Sequence, residues 1–363
     1  MGPVVLILGI ETALFGYTVR HDQWRVLNRN FAAYGNVSDI RQYMDDRGDY
    51  RRSRTLLQRG LLGYPPVKSN NYSINDHGFR TKQFVPKKSN EYRIGFLGGS
   101  TTFGVWLRDH ETIPSLFNDA VSRRSLKNQL ITVYNLGIEG ADLSNEIEIA
   151  STLSDRLRFD HLIFYDGANE FHRNYLRHIA TQKKNNNHKT AGQSQLIVKA
   201  TLIQRLLAKI LDFEIVQTLK YLILTSQITA KSNIEHSKIN DVQIINLSER
   251  DANEYLTQYT LAMNFCNMHS IPCSFVIQPI IGHKKSLSKS EKRILSYTDA
   301  KYPQYSSYYD LVANLILEKH HENIYDGRDF LIGVDEDVFT DVVHMNVIGN
   351  QHVAKSLAQI LPL

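Results

Sequence analysis

The sequence predicts an α/β protein, a doubly wound sheet of about five parallel strands between helices, and three observations carry that expectation. Short apolar runs that end in glycine-bearing sequence recur at residues 93–97, 131–136 and 161–165. Helical stretches at 112–124 and 143–158 lie between them and are long enough for right-handed crossovers. Two more apolar runs, 273–278 and 330–334, supply a fourth and fifth candidate strand. Strands alternating with helices in this way build a parallel sheet.

The chain has 363 residues, enough for one large core or two modest ones, and its 42% hydrophobic and 22% charged residues are those of an ordinary globular protein. The net charge of +5 is small for this length. Its basic residues are scattered, as at Lys183-Lys184 and Lys284-Lys285, so nucleic-acid binding is not indicated, although a mildly basic face suits acidic polymers or anionic lipid. Of the two cysteines, Cys266 falls on a predicted helix and Cys273 opens a predicted strand. That placement predicts two buried free thiols, and no cysteine–histidine spacing suits zinc.

Three regions precede or interrupt the alternating pattern. Residues 2–17, GPVVLILGIETALFGY, are apolar apart from Glu11 and Thr12, and residues 1–20 are read as a membrane anchor or signal-like helix. Arg20, Arg25 and Arg29 follow it, which by the positive-inside rule argues for a cytoplasmic body; an upstream basic segment would reverse the orientation. Residues 21–90 are polar, with turn signals at Tyr64-Pro65-Pro66 and Asp76-His77-Gly78, and read as a stalk or a lead-in packed against the main domain, 91–363. Within that domain about a hundred residues separate the third strand from the fourth. This insertion, about 172–250, contains a polar linker at 182–195 and apolar helical segments at 196–208 and 213–226, before a helix at 248–268. It reads either as a lid or membrane-facing cap, or as a helical subdomain that pads the sheet edge.

Four blocks sit at the predicted strand ends, where this architecture binds ligands. The first strand runs into Gly98-Gly99-Ser100. Ser100 alone reads as a nucleophile or as a helix-capping serine; a P-loop is excluded because no lysine follows. The second strand leads to Gly137-Ile138-Glu139-Gly140, the third to Asp166-Gly167-Ala168-Asn169-Glu170, and the last to Asp341-Val342-Val343-His344. A serine hydroxyl needs a base, and histidine is poised to be one. Asp341, three residues before His344, is close enough to receive the imidazole Nδ1–H and fix the tautomer. An attacked carbonyl becomes an oxyanion that needs preorganised donors, here the Ser100 N–H, the Gly140 N–H and the Asn169 amide. Asp166 and Glu170 are expected to satisfy loop amides, and His283, His320 and His321, without partner spacing, to face solvent.

In these blocks the sequence resembles the SGNH, or GDSL-type, hydrolases. Ser100 in GGST matches the block-one serine, Gly140 the block-two glycine, Asn169 in GANE the block-three asparagine, and Asp341 with His344 the D-x-x-H block. The resemblance spans about residues 90–363 and favours Gly140 over Gly137 as the oxyanion glycine. It implies a flavodoxin-like five-stranded parallel sheet, a Ser100–His344–Asp341 triad, and neither cofactor nor catalytic metal. The chain departs from the family in having Gly-Gly-Ser-Thr for Gly-Asp-Ser, Glu170 where Asp is commoner, and Met345 where proline often follows the histidine. None of these removes a reactive group. An α/β-hydrolase is disfavoured, since it requires G-x-S-x-G and separates acid from histidine. The lead-in INDHGFRTKQF, with YRIGFLGGSTTFG after it, also resembles membrane-anchored bacterial members linked to cell-surface polysaccharide, which implies an extracytoplasmic catalytic domain. Three functions follow: an esterase removing acetyl or another small acyl group from a glycan through a Ser100 acyl-enzyme, an O-acyltransferase with the same triad, or a non-catalytic polysaccharide assembly or binding protein. The long apolar insertion also leaves room for a lipid or thioester substrate.

Overall fold

The structure, a computed structural model, describes residues 55–56, 62–68, 73–123, 129–187, 241–319 and 321–362. The expected anchor or signal-like helix at 1–20 and the insertion segments at 196–208 and 213–226 lie outside the described residues. Among the described residues, no helix is long and apolar enough to cross a membrane.

Five strands form one parallel sheet: β1 (Glu91–Gly98), β2 (Leu130–Asn135), β3 (His161–Asp166), β4 (Cys273–Ile277) and β5 (Ile324–Asp326), in the order β2-β1-β3-β4-β5. Every residue of β3 and β4 is buried, as continuous apolar runs covered on both faces must be. Side chains alternate between two cores. On one face Ile94, Phe96, Ile163 and Val276 pack with Ile113, Phe117 and Val121 of helix α2 (Ile113–Ser122) and with Val353 and Leu357 of helix α8 (Val347–Ile360). On the other face Leu97, Leu162, Phe164 and Phe275 pack beneath α3 (Leu143–Leu157), α4 (Ala168–Asn187), α5 (Asp241–His269) and α7 (Tyr305–Leu317). A short helix, α1 (Ser100–Phe103), follows β1, and α6 (Lys289–Lys301) precedes α7.

The helices begin where local chemistry supplies caps. The Thr112 hydroxyl accepts from the Ser115 N–H, with Pro114 in the first turn of α2. Asp142 and Asn145 exchange bonds in a reciprocal box at the start of α3, whose buried stripe is Leu143, Glu146, Ile149, Ala150, Leu153 and Leu157.

Three expectations need correcting. The fifth strand is Ile324–Asp326, not 330–334; its register sets Phe275 opposite Ile324 and Ile277 opposite Asp326. The later run forms a 3₁₀ turn, Arg328–Leu331, then turns at Gly333 with φ +82°, and buries Leu331 and Val334 in the same core as α8. A short apolar run satisfies its burial in a turn as well as in a strand, so periodicity could not separate the two. Second, Cys266 and Cys273 are joined in a disulfide. The chain reverses after α5 through Ser270 (φ +53°), with the Ile271 N–H bonded to the Cys266 carbonyl at 2.9 Å, and this folds the start of β4 under the last turns of the helix. Third, His283 is not solvent-facing. Its side chain is 7% exposed, Nδ1 receives the Ile280 N–H at 3.1 Å, and Nε2 meets Asp310 Oδ1 at 3.0 Å. His321 is exposed, as expected, although its ring lies 4.7 Å from that of Tyr259. His320 lies outside the described residues.

Residues 73–90 pack against the domain. Phe79 is buried, and the Asn75 side chain shapes the preceding turn by accepting from His77 N–H and Phe79 N–H at 3.0 and 3.1 Å.

Candidate active site

Strand order fixes where a site forms. In an open parallel sheet of order 2-1-3-4-5 the connections leave β1 and β3 toward opposite faces, and a crevice opens at their carboxyl ends. Ser100 follows β1, and Asp166 to Glu170 follow β3.

The serine is presented by backbone that tolerates no side chain before it. A Cβ at Gly99 would stand 2.2 Å from Asn169 Nδ2 and 3.3 Å from the Ala141 carbonyl oxygen. Blocks one, two and three therefore meet at Gly99. The turn bearing Ser100 is fixed from three sides. Thr101 Oγ1 donates to Gln278 Oε1 at 2.8 Å, and Asn135 Nδ2 to the Thr102 carbonyl at 2.9 Å. The buried Arg80 guanidinium donates to the carbonyls of Phe103, Gly104 and Leu107 and pairs with Asp109 at 2.9 Å. So many charge-assisted bonds to one loop leave it little freedom.

His344 comes from the loop before α8. Glu291 accepts the Val338 and Phe339 N–H groups at 3.0 Å each, while its other oxygen takes the Lys284 ammonium at 2.6 Å; both side chains are fully buried. Lys284, read from sequence as one of the scattered basic residues, is thus a core cation. Further on, the Thr340 N–H bonds the His344 carbonyl at 2.8 Å, and the Ile281 N–H bonds the Val342 carbonyl at 2.9 Å. Asp341, 4% exposed, has Oδ1 accepting from the N–H groups of Val343 and His344 at 3.0 and 2.8 Å. Both its oxygens lie 2.9 Å from His344 Nδ1, and His344 Nε2 lies 2.8 Å from Ser100 Oγ. With the carboxylate on Nδ1, that nitrogen carries the proton and Nε2 is the acceptor for the serine hydroxyl. The arrangement can take a proton from Ser100 and hold the resulting imidazolium against a buried anion.

The oxyanion candidates divide clearly. Gly137 N–H is occupied by Asn135 Oδ1 at 3.0 Å, and the residue is buried against Thr102 and Phe103. Gly140 turns the chain between Ile138 and Ala141 with φ +75°, a left-handed conformation that glycine adopts without cost. Its carbonyl receives Arg173 at 3.0 Å, while its N–H has no partner among the described residues. The Asn169 amide donates one hydrogen to the Ala141 carbonyl at 2.6 Å, and its second hydrogen remains to face a ligand.

Beneath these loops lies a group that the sequence did not single out. Glu146 of α3 is fully buried in the apolar stripe, and its carboxyl oxygens have no partner among the described residues. Asp166 and Glu170 converge on it, with one oxygen from each of the three within 4.8 Å of the others. Glu170 accepts the Leu143 and Gly167 N–H groups at 2.7 and 2.9 Å, so it does satisfy loop amides and ties block two to block three. Asp166 Oδ1 accepts from the Tyr255 hydroxyl at 2.8 Å, while Oδ2 has no partner among the described residues. Burial pushes all three carboxyls up: Glu146 and Asp166 well above the usual range, and Glu170 to about 7. The readable signal was a glutamate at an apolar position of the helical repeat.

No family model matches the chain, and no curated protein matches it by sequence. Solved structures similar to it include an acetyl xylan esterase, 13% identical, covering 74% of this chain and 100% of the other at a TM-score of 0.36. An acetylxylan esterase from Geobacillus stearothermophilus, a catalytic mutant, is 11% identical over 74% and 93% at 0.39. An alpha/beta hydrolase from the metagenome of Lake Arreo, Spain, is 12% identical over 74% and 94% at 0.37. Overlaps of this size decide neither fold nor chemistry, which stand on the strand order and side-chain distances above. In the order of its sheet and of its four blocks, the chain is similar to the SGNH hydrolases.

Proposed function

We propose that this chain is a serine esterase that removes acetyl or another small acyl group, from a cell-surface glycan, through a Ser100 acyl-enzyme. The single observation that carries the reading is the hydrogen-bonded line from Ser100 Oγ through His344 to Asp341, with links of 2.8 and 2.9 Å, at the carboxyl edge of a parallel sheet. His344 Nε2 takes the hydroxyl proton as Ser100 Oγ attacks the ester carbonyl, and the tetrahedral oxyanion receives the Ser100 and Gly140 N–H groups and the free Asn169 hydrogen. The imidazolium returns the proton to the leaving alcohol. Water, deprotonated by His344 in turn, then hydrolyses the acyl-serine.

The choice of a glycan ester rests on the sequence resemblance. An extracytoplasmic location belongs to the same proposal and is supported by the Cys266–Cys273 bond, since disulfides persist in oxidising compartments. The test is hydrolysis of a short-chain aryl acetate by the full-length chain beside Ser100→Ala and His344→Ala. The expected result is a clear wild-type rate that falls by roughly 10³- to 10⁶-fold in each variant. Equal rates in all three proteins would sink the esterase reading. An acyl group appearing on an added glycan hydroxyl rather than in water would replace it with the transferase.

A further inference from the structure

The Glu146–Asp166–Glu170 cluster takes no part in the proton relay described above, and its composition needs an explanation of its own. Three carboxyls from three elements, the first turns of α3 and α4 and the end of β3, bring one oxygen each to within 4.8 Å of the others; Glu146 and Asp166 are buried and Glu170 is half-buried. Surface carboxylates that repel would turn outward; the buried Glu146 and Asp166 cannot. A buried carboxylate without a partner is costly unless it is neutralised or bound to a cation. Both oxygens of Glu146 and one of Asp166 lack any partner among the described residues, so the centre of the cluster holds three unsatisfied acceptor atoms. The donors that do reach the cluster, two backbone N–H groups on Glu170 and the Tyr255 hydroxyl on Asp166, favour ionised carboxylates. Among the described residues, no lysine, arginine or histidine bonds any of the three.

We propose that Glu146, Asp166 and Glu170 bind a hard divalent cation of the calcium or magnesium class. All three ligands are carboxylate oxygens, the donor set that selects such ions over softer metals. An ion centred among oxygens within 4.8 Å of one another stands no more than about 2.8 Å from each, and small side-chain shifts bring this to the ~2.3–2.6 Å of calcium. Glu170 and Tyr255 also line an open pocket, in which Arg173 pairs with Asp142 and Arg177 lies 4.0 Å from Glu254, and which supplies room for ligand waters. The ion has no part in bond breaking. It fastens Glu170 to the sheet, and Glu170 in turn holds Leu143 and Gly167 on either side of Asn169. It is a structural ion beneath the oxyanion loops.

The experiment needs no substrate, so it stands or falls apart from the esterase reading. The full-length chain is analysed for bound metal after purification and then melted in chelator, in calcium and in magnesium. The expected result is about one equivalent of divalent ion and a melting temperature that drops by several degrees in chelator and returns with calcium or magnesium. Terbium added to the chelated protein is expected to luminesce through Tyr255, and Glu146→Gln to lose both the metal and the chelator response. Absence of bound metal, with the same melting temperature in chelator and calcium, overturns the proposal and assigns protons to the cluster. Because the wild-type melts decide this alone, a Glu146→Gln chain that fails to fold does not shield the idea.

Discussion

Asn169 shows how much of the site depends on single atoms. Its Nδ2 is held at 2.6 Å by the Ala141 carbonyl and lies where a Gly99 side chain would be, so the amide has one orientation and one hydrogen left over. A donor used only when the carbonyl becomes an oxyanion lowers the barrier without tightening substrate binding. Asn169→Ala is therefore expected to reduce kcat by about 10²–10³ with KM little changed, a loss of ~2.7–4 kcal/mol in transition-state stabilisation. Steady-state kinetics on an aryl acetate check it; a rise in KM at constant kcat would make Asn169 a substrate-binding residue instead. The reactive residues were legible because their chemistry restricts the alternatives: a strand-end serine, an asparagine after glycine, and an acid three positions before a histidine. Residues that support them were not. Arg80 and Lys284 are ordinary basic residues in sequence, and only folding shows the first closing on three carbonyls and the second pairing with Glu291 in the core. Glu146 lay between these cases, visible as a charge in an apolar stripe but not read as one.

At the scale of elements, β3 carries a liability at its first residue. His161 is 1% exposed, with Nε2 at 2.9 Å from Ser274 Oγ on β4 and Nδ1 buried without a partner among the described residues. Burial holds its pKa down at about 4, below the ordinary 6.5 of the unfolded chain. The unfolded state therefore takes up a proton between pH 6.5 and 4 that the folded state refuses. Stability tied to this group is complete above pH 6.5, falls through that window, and is gone below pH 4, a loss of up to ~3 kcal/mol. Urea unfolding at a series of pH values is expected to show a steeper acid decline for the wild type than for His161→Gln, which keeps a polar group for Ser274. Parallel declines would place the acid sensitivity elsewhere. Four of the five strands were legible to within a few residues, because continuous apolar runs bounded by glycine leave little choice. The fifth was missed because Ile324–Asp326 has three residues and one apolar edge contact to advertise it, while the richer run beyond Gly327 buries itself in a turn. The disulfide was missed because helix and strand were read separately, and the bond depends on the reversal that joins them.

At the scale of the molecule, the sheet brings together groups that the chain keeps far apart. Ser100 and His344 are separated by 244 positions, and their bond exists because β1 lies inside the sheet between β2 and β3 and α8 closes the same face as α2. Each reactive group lies on a loop or in the first turn of a helix, and each such segment is tied down by a buried polar contact: Arg80 behind Ser100, Glu170 between blocks two and three, Glu291 behind the histidine loop. Rigid support of this kind is what holds a nucleophile and its base within bonding distance before substrate arrives. The central claim is that His344 activates Ser100 for attack on an acyl carbon. The most direct measurement is covalent labelling of the full-length chain with a fluorophosphonate, followed by mass spectrometry of the peptide containing Ser100, in wild type and His344→Ala. The account predicts one phosphonyl adduct on Ser100 in the wild type and labelling slowed by orders of magnitude in the variant. An unlabelled Ser100, or equal labelling rates in the two proteins, would contradict it.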